Sequence, residues 1–534
     1  MSWIHNLAWA VVPHLKHRAK FRATWGQARD TDGWLASRSF DLSRTESAPK
    51  WVDDRTWSDL EFPRIFSDLN TTITPIGRQF LYKQLRTYEY DVEIFSQRHE
   101  AYRVLGTDSS LREKLQLILK QLEMDATAHI VDALLGPPPE QPRRHLLINA
   151  WALCSVVLLT VIIAFSLPLW LVGVVLAVNA LIMFTIPPSL HRNAQTLIIC
   201  RSMLGVADKL ATLSRDGELA PLVRLAAERR KRAELRKDVR WLTLLAGNPV
   251  LAGVVLLADL CFLAKIVAYI RTVDRFVRVR HEWASTYDLI GSIDASIAVA
   301  SFLHRTPKYC RPVVSTSAVI SLKNGYHPLL KNPVVHSVTL DNRSALVTGS
   351  NMAGKTTFVK MIGANIVLGH TLGICLASAA TIPQSSVMTS IRGDQSVESG
   401  KSRYFAEVEA IRGFIDSASQ GECRVFVIDE IFSGTNTIER VAAAKAVLSA
   451  ISKHAQVLAT THDVELQLLL ASDFDLFYFQ ENPALASFFD YKLHSGISTQ
   501  RNAIRVLERM GFPATIVREA LAAVSLHNQA TKPA

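Results

Sequence analysis

Residues 344–357, which read SALVTGSNMAGKTT, decide the fold of this protein. A short apolar run typical of a buried strand is followed by a turn that contains Gly349 and Gly354, and then by a segment with helical character. A strand, a Gly-x4-Gly-Lys-Thr turn and a helix form the full context of a phosphate-binding loop. Backbone N–H groups of the turn and the helix N-terminus together favour an anion there. The pattern therefore predicts an α/β domain with a phosphate site.

Each residue type in this loop has a predicted part in binding ATP and Mg²⁺. Lys355 supplies a positive charge to the β- and γ-phosphate oxygens, and Thr356 supplies a hydroxyl to the magnesium shell. The alternative, a chance Gly-Lys-Thr in an ordinary loop, is disfavoured by the motifs that follow downstream. The other predicted nucleotide-binding residues of the loop are Gly349, Ser350, Asn351, Met352, Ala353, Gly354 and Thr357.

Two later strands are predicted to carry polar groups to the same edge of the sheet. The apolar run 425–428 ends in Asp429 and Glu430. Asp429 is expected to hold the Mg²⁺ water shell, and Glu430 to orient or deprotonate the attacking water. The run 456–460 leads to His462, which is predicted to sense the γ-phosphate through a hydrogen bond. The alternatives are solubilising carboxylates at a strand end and a surface histidine.

From about residue 310 to 525 these motifs resemble the ATPase domain of the MutS family, the mismatch-repair ATPases within the ABC-type superfamily. Residues 348–357 are similar to the family's TGPNMGGKST, with Ser350 in place of Pro and Ala353 in place of Gly. Residues 429–436, DEIFSGTN, resemble its DEIGRGTS segment. The resemblance implies a P-loop ATPase domain with a mostly parallel sheet.

Three shorter segments extend the resemblance to other parts of the nucleotide site. Residues 459–462, ATTH, are similar to the family's ATH switch. Residues 325–328, GYHP, resemble its GRHP segment, which implies that His327 helps to seat the adenine. Residues 399–402, SGKS, fall where the family has its SGRST signature. The resemblance implies that this segment caps the γ-phosphate bound to the opposite subunit, through Ser399, Gly400 and Ser402.

Both ends of the chain also resemble the family. Residues 490–497 and 509–513 are similar to the turns of its C-terminal helix-turn-helix dimerisation element, which implies a homodimer with two composite sites. Residues 60–77 resemble the LEL…NxTxTxxG opening of its helical core domain. The region that resembles the helical core begins by about residue 50, which leaves no room for mismatch-reading domains, so mismatch reading by intercalation is not expected. Phe405-Ala406-Glu407 matches the letters of the mismatch wedge but lies in the signature helix.

Two apolar runs are predicted to form a transmembrane helical hairpin. Residues 146–164 and 169–186 contain no charged residue, and each is long enough to cross a bilayer core of about 30 Å. Cationic residues flank the pair, which places both ends in the cytoplasm by the positive-inside rule: Arg143 and Arg144 before it, and His191 and Arg192 after it. The alternative is a buried pair of helices in a soluble protein. The prediction is a two-span anchor in the cytoplasmic membrane.

A third apolar stretch, 241–270, is interrupted by Asn248-Pro249 and contains Asp259 and Lys265. Because charges at mid-bilayer are costly, the prediction is a long helix buried against other helices or lying at the membrane surface. Two basic runs, 228–237 and 271–280, are expected to be solvated helix faces, with anionic lipid and DNA as alternative partners.

Composition leaves the choice of partner open. The net charge of +11 indicates polyanionic partners, although cations beside a membrane segment produce the same bias. Six cysteines without a CxxC pair argue against disulfide frameworks and zinc sites. We expect a membrane-anchored dimeric ATPase that binds mismatched, branched or otherwise unusual DNA with ATP-driven clamp motion. The alternative is an ATPase switch that acts on protein or lipid partners without DNA.

The predicted organisation combines an α/β ATPase domain with an all-α core and lever region that contains the inserted hairpin. A transporter ATPase is disfavoured because two spans cannot easily form a translocation path. The predicted segments are an N-terminal segment (1–49), the first part of the helical core (50–140), the transmembrane hairpin (141–191), the second part of the core and lever (192–311), the ATPase domain (312–488) and the C-terminal dimerisation element (489–534).

Overall fold

The chain divides into two compact units, which are described separately. The helical unit comprises Met1–Ser47, Ser67–Gln84 and Val92–Thr306, and the sheet unit comprises Ala48–Phe66, Leu85–Asp91 and Pro307–Ala534. The computed structural model describes residues 16–28, 35–44, 51–139, 145–185, 188–214, 219–246, 252–306, 308–350, 353–391, 403–421, 423–432, 436–481, 489–497 and 511–530.

Helices account for nearly all regular structure before residue 307, as predicted for the two parts of the helical core. Their bounds are α1 Arg38–Ser43, α2 Asp54–Asp59, α3 Phe62–Leu69, α4 Pro75–Arg86, α5 Val92–Thr107, α6 Ser109–Leu119, α7 Ile130–Leu135, α8 His145–Ala164, α9 Trp170–Phe184, α10 Pro188–Ala211, α11 Ala220–Ala227, α12 Arg229–Ala246, α13 Ala252–Phe262, α14 Ala264–Arg278 and α15 Arg280–Arg305. Two 3-10 turns, Lys120–Leu122 and Asp125–His129, lie between α6 and α7.

Helix α15 is the centre of the helical unit. Its buried aromatic residues Trp283 and Tyr287 belong to the main core cluster, together with side chains from α5, α10 and α11. By length and composition α15 is apolar enough to cross a membrane, yet most of it is buried inside this unit. We therefore assign α15 to the core.

A buried carboxylate explains why residues 74–77, at the start of α4, have the sequence Thr-Pro-Ile-Gly. Asp294 of α15 accepts hydrogen bonds from the backbone N–H groups of Ile73 (3.1 Å) and Thr74 (2.8 Å) and from the Thr74 hydroxyl (2.7 Å). The same hydroxyl accepts from Gly77 N and so caps the helix. A Cβ at Gly77 would lie 2.3 Å from the Asp294 carboxylate, so glycine is required there.

Asp294→Ala is expected to lower the free energy of unfolding by about 3 kcal/mol, because several buried donors would lose their acceptor. Denaturant unfolding of the purified protein measures the change. Asp274→Ala is the matched control, since Asp274 only forms an exposed ion pair with Arg278. Its expected effect is below about 0.5 kcal/mol. Equal effects of the two replacements would contradict the assignment of Asp294 as a buried anchor.

The predicted hairpin corresponds to α8 and α9, two apolar helices joined by a short turn. Helix α8 has 20 residues, whereas α9 has 15 and is shorter than the predicted run 169–186. Ser155 and Asn179 are fully buried between the helices, while large apolar side chains such as Leu153, Ile163 and Phe184 face outward. Of the described helices, α8 and α15 are long and apolar enough to cross a membrane by themselves. Insertion of the hairpin into a membrane stays a prediction.

The third apolar stretch does not form the long helix that the sequence suggests. Helix α12 ends at Ala246, and α13 and α14 meet at Leu263, where the chain bends by 80°. Leu263 adopts a left-handed backbone conformation, φ = 51°, which no continuous α-helix tolerates. The Asp259 side chain accepts a hydrogen bond from Lys265 N at 2.8 Å and caps the new helix. The prediction of one long helix is therefore wrong.

The sheet unit contains ten described strands in two sheets. The strands are β1 Val313–Ser315, β2 Val319–Gly325, β3 His336–Asp341, β4 Ser344–Thr348, β5 Ala379–Pro383, β6 Ser386–Ser390, β7 Cys423–Ile428, β8 Gln456–Thr460, β9 Phe474–Glu481 and β10 Phe489–Ser495. The helices after residue 307 are α16 Lys355–Thr371, α17 Arg403–Gln420, α18 Thr437–Ile451, α19 Val464–Leu470 and α20 Ala514–Ala530.

The larger sheet has the order β10-β9-β4-β8-β7-β6, and every neighbouring pair is parallel except β10 and β9. Strands β4, β7 and β8 confirm the three predicted strands. Because β4, β8 and β7 are parallel neighbours, their carboxyl ends lie at one edge. The smaller sheet has the order β1-β5-β2-β3 and is mostly antiparallel.

Two boundaries of the sheet unit differ from the predicted segments. Residues 48–66 and 85–91, predicted as helical core, cluster with the sheet unit. Helix α2 packs on β6, where the Asp59 carboxylate accepts from the Thr389 hydroxyl (2.8 Å) and Ile391 N (2.9 Å). Strand β10, predicted as the start of the dimerisation element, pairs with β9 and completes the larger sheet. Sequence pattern alone does not show such long-range pairings.

We expect His370 at the end of α16 to make the stability of the sheet unit sensitive to acid. It is fully buried, its Nε2 lies 2.7 Å from the carbonyl oxygen of Pro383, and burial lowers its pKa to about 4. The unfolded state therefore takes up the proton first as the pH falls below about 6.5. His370 thus contributes stability that is complete above that pH and is lost as the pH falls towards 4.

His370→Gln, which keeps an N–H donor for Pro383 but does not titrate, is expected to flatten the decline of stability between pH 6.5 and 4. The expected change in slope is about 1.4 kcal/mol per pH unit. Denaturant midpoints across this range measure it. Between pH 7.5 and 8.5 the denaturant midpoints of the parent protein and of the variant should change in parallel with pH, and this range serves as the control. An unchanged slope at acidic pH would exclude His370 from the groups whose protonation destabilises the fold in this range.

Candidate nucleotide site

The loop between β4 and α16 depends on two glycines in conformations that other residues rarely adopt. Gly349 has φ = 128°, and a Cβ there would lie 2.5 Å from the carbonyl oxygen of Phe479. Gly354 has φ = 102° and is the residue before α16, so Lys355 is the first helical residue. Ala353 is buried and donates its N–H to the carbonyl of Ser350 at 3.2 Å. Gly349 and Gly354 thus both adopt backbone conformations that favour glycine, as a tight phosphate loop requires.

Lys355 points back over this loop. Its side chain is buried, and its ammonium donates to the carbonyl oxygen of Gly349. The same nitrogen lies 3.2 Å from Nδ1 of His462. The predicted phosphate-binding cation and the predicted γ-phosphate sensor are therefore direct neighbours.

The two predicted magnesium-binding residues are in hydrogen-bond contact. The Thr356 hydroxyl donates to both carboxylate oxygens of Asp429, at 3.0 and 3.1 Å. The Thr460 hydroxyl donates to Asp429 Oδ1 at 2.5 Å. A hydroxyl beside a carboxylate is a hard-oxygen donor pair, which fits a hydrated Mg²⁺ ion with phosphate ligands. Thr460 orients the carboxylate and was not predicted, because a buried strand threonine carries no distinctive sequence signal.

Glu430 lies beside the same group of side chains. Its Oε1 is 2.5 Å from Nε2 of His462, and its backbone N–H donates to the Thr460 hydroxyl at 3.0 Å. Glu430 has φ = 53°, an uncommon conformation for a residue with a side chain. Such strained residues cluster at functional sites. The side chains of Lys355, His462 and Glu430 are thus connected in series by hydrogen bonds.

Two further residues near the site escaped prediction. Arg440 of α18 forms a two-pronged ion pair with Asp463, at 2.6 and 2.9 Å, and so braces the residue after His462. This hydrogen bonding is the main cause of a raised Arg440 pKa, with a smaller contribution from the Glu430 charge. The ring of Tyr491 lies 3.4 Å from where a Cβ of Gly354 would stand. Neither contact follows from local sequence, since its partners lie on different elements.

His327 lies in a separate, buried position beside Glu61 and Lys360. Burial lowers its pKa to about 4, so the ring is neutral at physiological pH. Its Nδ1 accepts from Leu329 N at 3.3 Å, which leaves the proton on Nε2. In the described part of the chain Nε2 is buried and has no hydrogen-bond partner. The structure does not join His327 to the described loop residues by a hydrogen bond.

Several predicted nucleotide-binding residues lie outside the described residues: Asn351, Met352, Ser399, Gly400 and Ser402. Thr357 is exposed in the first turn of α16. The Ser350 hydroxyl is buried and finds no partner among the residues that the structure describes. Such an unpaired polar atom within a phosphate loop fits a site that a bound anion completes.

Residues 345–527 match MutS domain V. The match supports membership of the MutS family. An endonuclease MutS2 of Carboxydothermus hydrogenoformans is 29% identical over 248 residues, which cover 44% of this chain and 31% of that protein. A DNA mismatch repair protein MutS of Exiguobacterium sp. is 28% identical over 289 residues, covering 49% of this chain and 33% of that protein.

The MutS-type domain is the part of the chain that the family match covers. A DNA mismatch repair protein MutS of Fusobacterium nucleatum subsp. nucleatum is 27% identical over 195 residues, which are 34% of this chain and 22% of that protein. The chain thus spans a third or less of the length of these three relatives. Two of them are named DNA mismatch repair proteins and one is named an endonuclease.

Proposed function

We propose that this protein is a MutS-type ATPase that binds and hydrolyses ATP with Mg²⁺. The observation that carries the proposal is the convergence of three strand ends. Lys355 and Thr356 follow β4, Asp429 and Glu430 follow β7, and His462 follows β8, with contacts of 2.5–3.2 Å between their side chains. Phosphoryl transfer needs little more from a protein than positioning and charge stabilisation.

The chain's own residues divide the work of hydrolysis. Lys355 would place its ammonium against phosphate oxygens, and the Thr356–Asp429 pair would hold the metal shell. A bound Mg²⁺ ion supplies positive charge that neutralises the phosphate oxygens. Glu430 would orient the attacking water and accept its proton.

His462 is a positioning residue for this carboxylate. A carboxylate only accepts, so Nε2–H donates to Glu430; Lys355 Nζ lies 3.2 Å from Nδ1 and 3.3 Å from Nε2, and Nδ1 is then the ring nitrogen left to accept from it. That tautomer is assigned from the hydrogen-bond partners. His462 therefore links the phosphate-binding cation to the proposed base and would transmit the state of the γ-phosphate between them.

The proposed partner is DNA, which a homodimer would enclose in an ATP-driven clamp. Support comes from the relatives, which are named as DNA mismatch repair proteins and endonucleases, and from the net charge of +11. An open groove of about 700 Å³ between α10 and α12 is lined by cations that include Arg201, Lys209 and Arg229. Such cations make sequence-independent phosphate contacts.

The basic run on α12 is only partly available for such contacts. Arg232 is 1% exposed, pairs with Asp208 at 2.8 Å and donates to the Leu225 carbonyl, so it is structural. Arg236 also pairs with Asp208. Arg229, Arg230 and Lys231 are exposed.

Salt-dependent binding of duplex, fork and junction DNA tests the DNA proposal. We expect the protein to bind at least one of these DNA forms more tightly than the others. We also expect the logarithm of the affinity to fall linearly with the logarithm of the salt concentration, with a slope of about −0.9 per phosphate contact. Replacing Arg229, Arg230 and Lys231 by Gln should reduce that slope. Arg103→Gln, which removes an exposed cation elsewhere, is the matched control. Absent or salt-independent affinity would overturn the proposal.

The hairpin supports a second proposal, anchoring in the cytoplasmic membrane. Ser155 and Asn179 are buried and large apolar side chains such as Leu153 and Phe184 are exposed, the reverse of a water-soluble helix pair. If DNA binding fails, an ATPase switch that acts on lipid or protein partners is the function this feature favours. ATP turnover in detergent and in liposomes, with and without DNA, separates the two, because only the second function responds to lipid alone.

A further inference from the structure

Helix α13 is a short apolar helix that ends in a sharp bend. Its eleven residues read AGVVLLADLCF and contain a single charged residue, Asp259. At 1.5 Å per residue it spans about 16 Å, roughly half of a bilayer core. Helix α14 leaves the bend at 80°. It carries Arg271, Asp274 and Arg275, so its charged face belongs in water.

The polar groups at this bend are satisfied from inside the protein. The carbonyls of Leu260 and Cys261 belong to the last turn of α13, where a helix offers no partners of its own. The side-chain amide of Asn179 in α9 donates to both, at 2.8 and 2.9 Å. Trp151 of α8 in turn donates its indole N–H to the Asn179 oxygen at 2.7 Å. Asn179 has no exposed surface.

The outward face of α13 has the opposite character. Val254, Leu256 and Leu257 are 65%, 58% and 63% exposed, whereas Asp259 is 4% exposed. In water this arrangement would leave an apolar patch solvated. In a bilayer it is favourable, because backbone groups must be satisfied internally where no water is available.

The position of α13 on the hairpin indicates its depth. Leu263 and Ile266, at the bend, pack with Trp151 near the start of α8 and with Ile182 and Met183 near the end of α9. Both places are at the base of the hairpin, next to its predicted cytoplasmic flanks. Trp241 in the last turns of α12 and Lys265 at the bend are exposed or partly exposed, as expected for side chains at a membrane interface.

We infer that α13, residues 252–262, is embedded in the cytoplasmic half of the lipid bilayer as a third, non-spanning segment held to the hairpin by Asn179. The inference rests on the proposed membrane anchor. It makes the membrane part of this protein a three-helix unit. The bend at Leu263 is then the point where the chain returns from lipid to water.

Photocrosslinking of the full chain in vesicles tests this inference. The photoreactive amino acid p-benzoylphenylalanine is placed singly at Val254, Leu257, Leu153 or Arg103, and the protein is reconstituted with phosphatidylethanolamine and phosphatidylglycerol. Leu153 is an outward residue of the hairpin, and Arg103 is an exposed residue of α5. We expect lipid adducts at positions 254, 257 and 153, and none at 103.

The outcomes separate the inference from the anchor on which it rests. Adducts at 153 without adducts at 254 and 257 would overturn the embedding of α13 and leave the anchor standing. No adducts at any of the three would overturn both. Protein adducts in place of lipid at 254 and 257 would show that another polypeptide covers α13 and would also overturn the inference.

Asn179→Leu tests the role of the side-chain amide. The two carbonyls at the bend would lose their donors, and lipid adducts at 254 and 257 should fall about tenfold, the factor for two hydrogen bonds between membrane helices. Adducts at 153 should be unchanged. Thr160→Val is the control, because the Thr160 hydroxyl bonds only within its own helix, to Val156. Unchanged yields at 254 and 257 would exclude Asn179 as the residue that holds α13.

Discussion

Glu430→Gln is expected to bind ATP with nearly parental affinity and to hydrolyse it at least about 100-fold more slowly. An amide keeps the shape of the carboxylate and can still accept the hydrogen bond from Nε2 of His462, but it cannot take a proton from water. Binding of a fluorescent ATP analogue and single-turnover hydrolysis measure the two properties separately.

The matched control is Glu439→Gln, which changes an exposed carboxylate in the first turn of α18. It should leave both binding and turnover at parental levels. Hydrolysis by Glu430→Gln at the parental rate would show that Glu430 is not the general base. Loss of binding in this variant would instead indicate that the carboxylate is needed to keep the site folded.

Lys355→Ala is expected to abolish nucleotide binding, with affinity at least about 100-fold lower. Charge-assisted hydrogen bonds to phosphate each contribute about 1.5–3 kcal/mol, and Lys355 is placed to make more than one. The stabilisation that ATP and Mg²⁺ give the parent protein on heating should be absent, since that shift depends on affinity.

Lys355 is buried, so its replacement also needs a test of folding. Lys355→Met retains most of the apolar stem and fills the same space, and it should lose nucleotide binding in the same way. Melting of both variants without nucleotide shows whether they fold. A folded Met variant whose melting temperature rises with ATP as much as that of the parent would contradict the role of Lys355.

The nucleotide site was predictable because most of its residues lie in short, contiguous sequence motifs. The strand before Gly349 and the run before Asp429 are buried parallel strands, and their order in the sheet brings the residues after them to one edge. Thr460 and Arg440 were not predictable. Their contacts to Asp429 and Asp463 join elements far apart in the chain, and a threonine or an arginine has many possible partners.

The apolar stretches also contain features that the sequence predicts and features that it does not. The runs 146–164 and 169–186 predict two helices from composition alone, and α8 and α9 are found there. The end of α13 before Leu263 is stabilised instead by Asn179, more than eighty residues away, whose side-chain amide donates to the carbonyls of Leu260 and Cys261. In the sequence, Asp259 and Lys265 are two charged residues that argue against a membrane segment. The sequence does not show the contacts that these residues make at the bend.

Local pattern by itself determined the phosphate loop, the strands that converge on it and the apolar hairpin, because glycine geometry, strand burial and helix length are properties of neighbouring residues. Tertiary structure alone decided how His462 links Lys355 to Glu430, why Arg232 is structural, and where the third apolar stretch bends. Those features depend on hydrogen bonds and burial between distant segments, whose free energies exist only once the chain has brought the partners together.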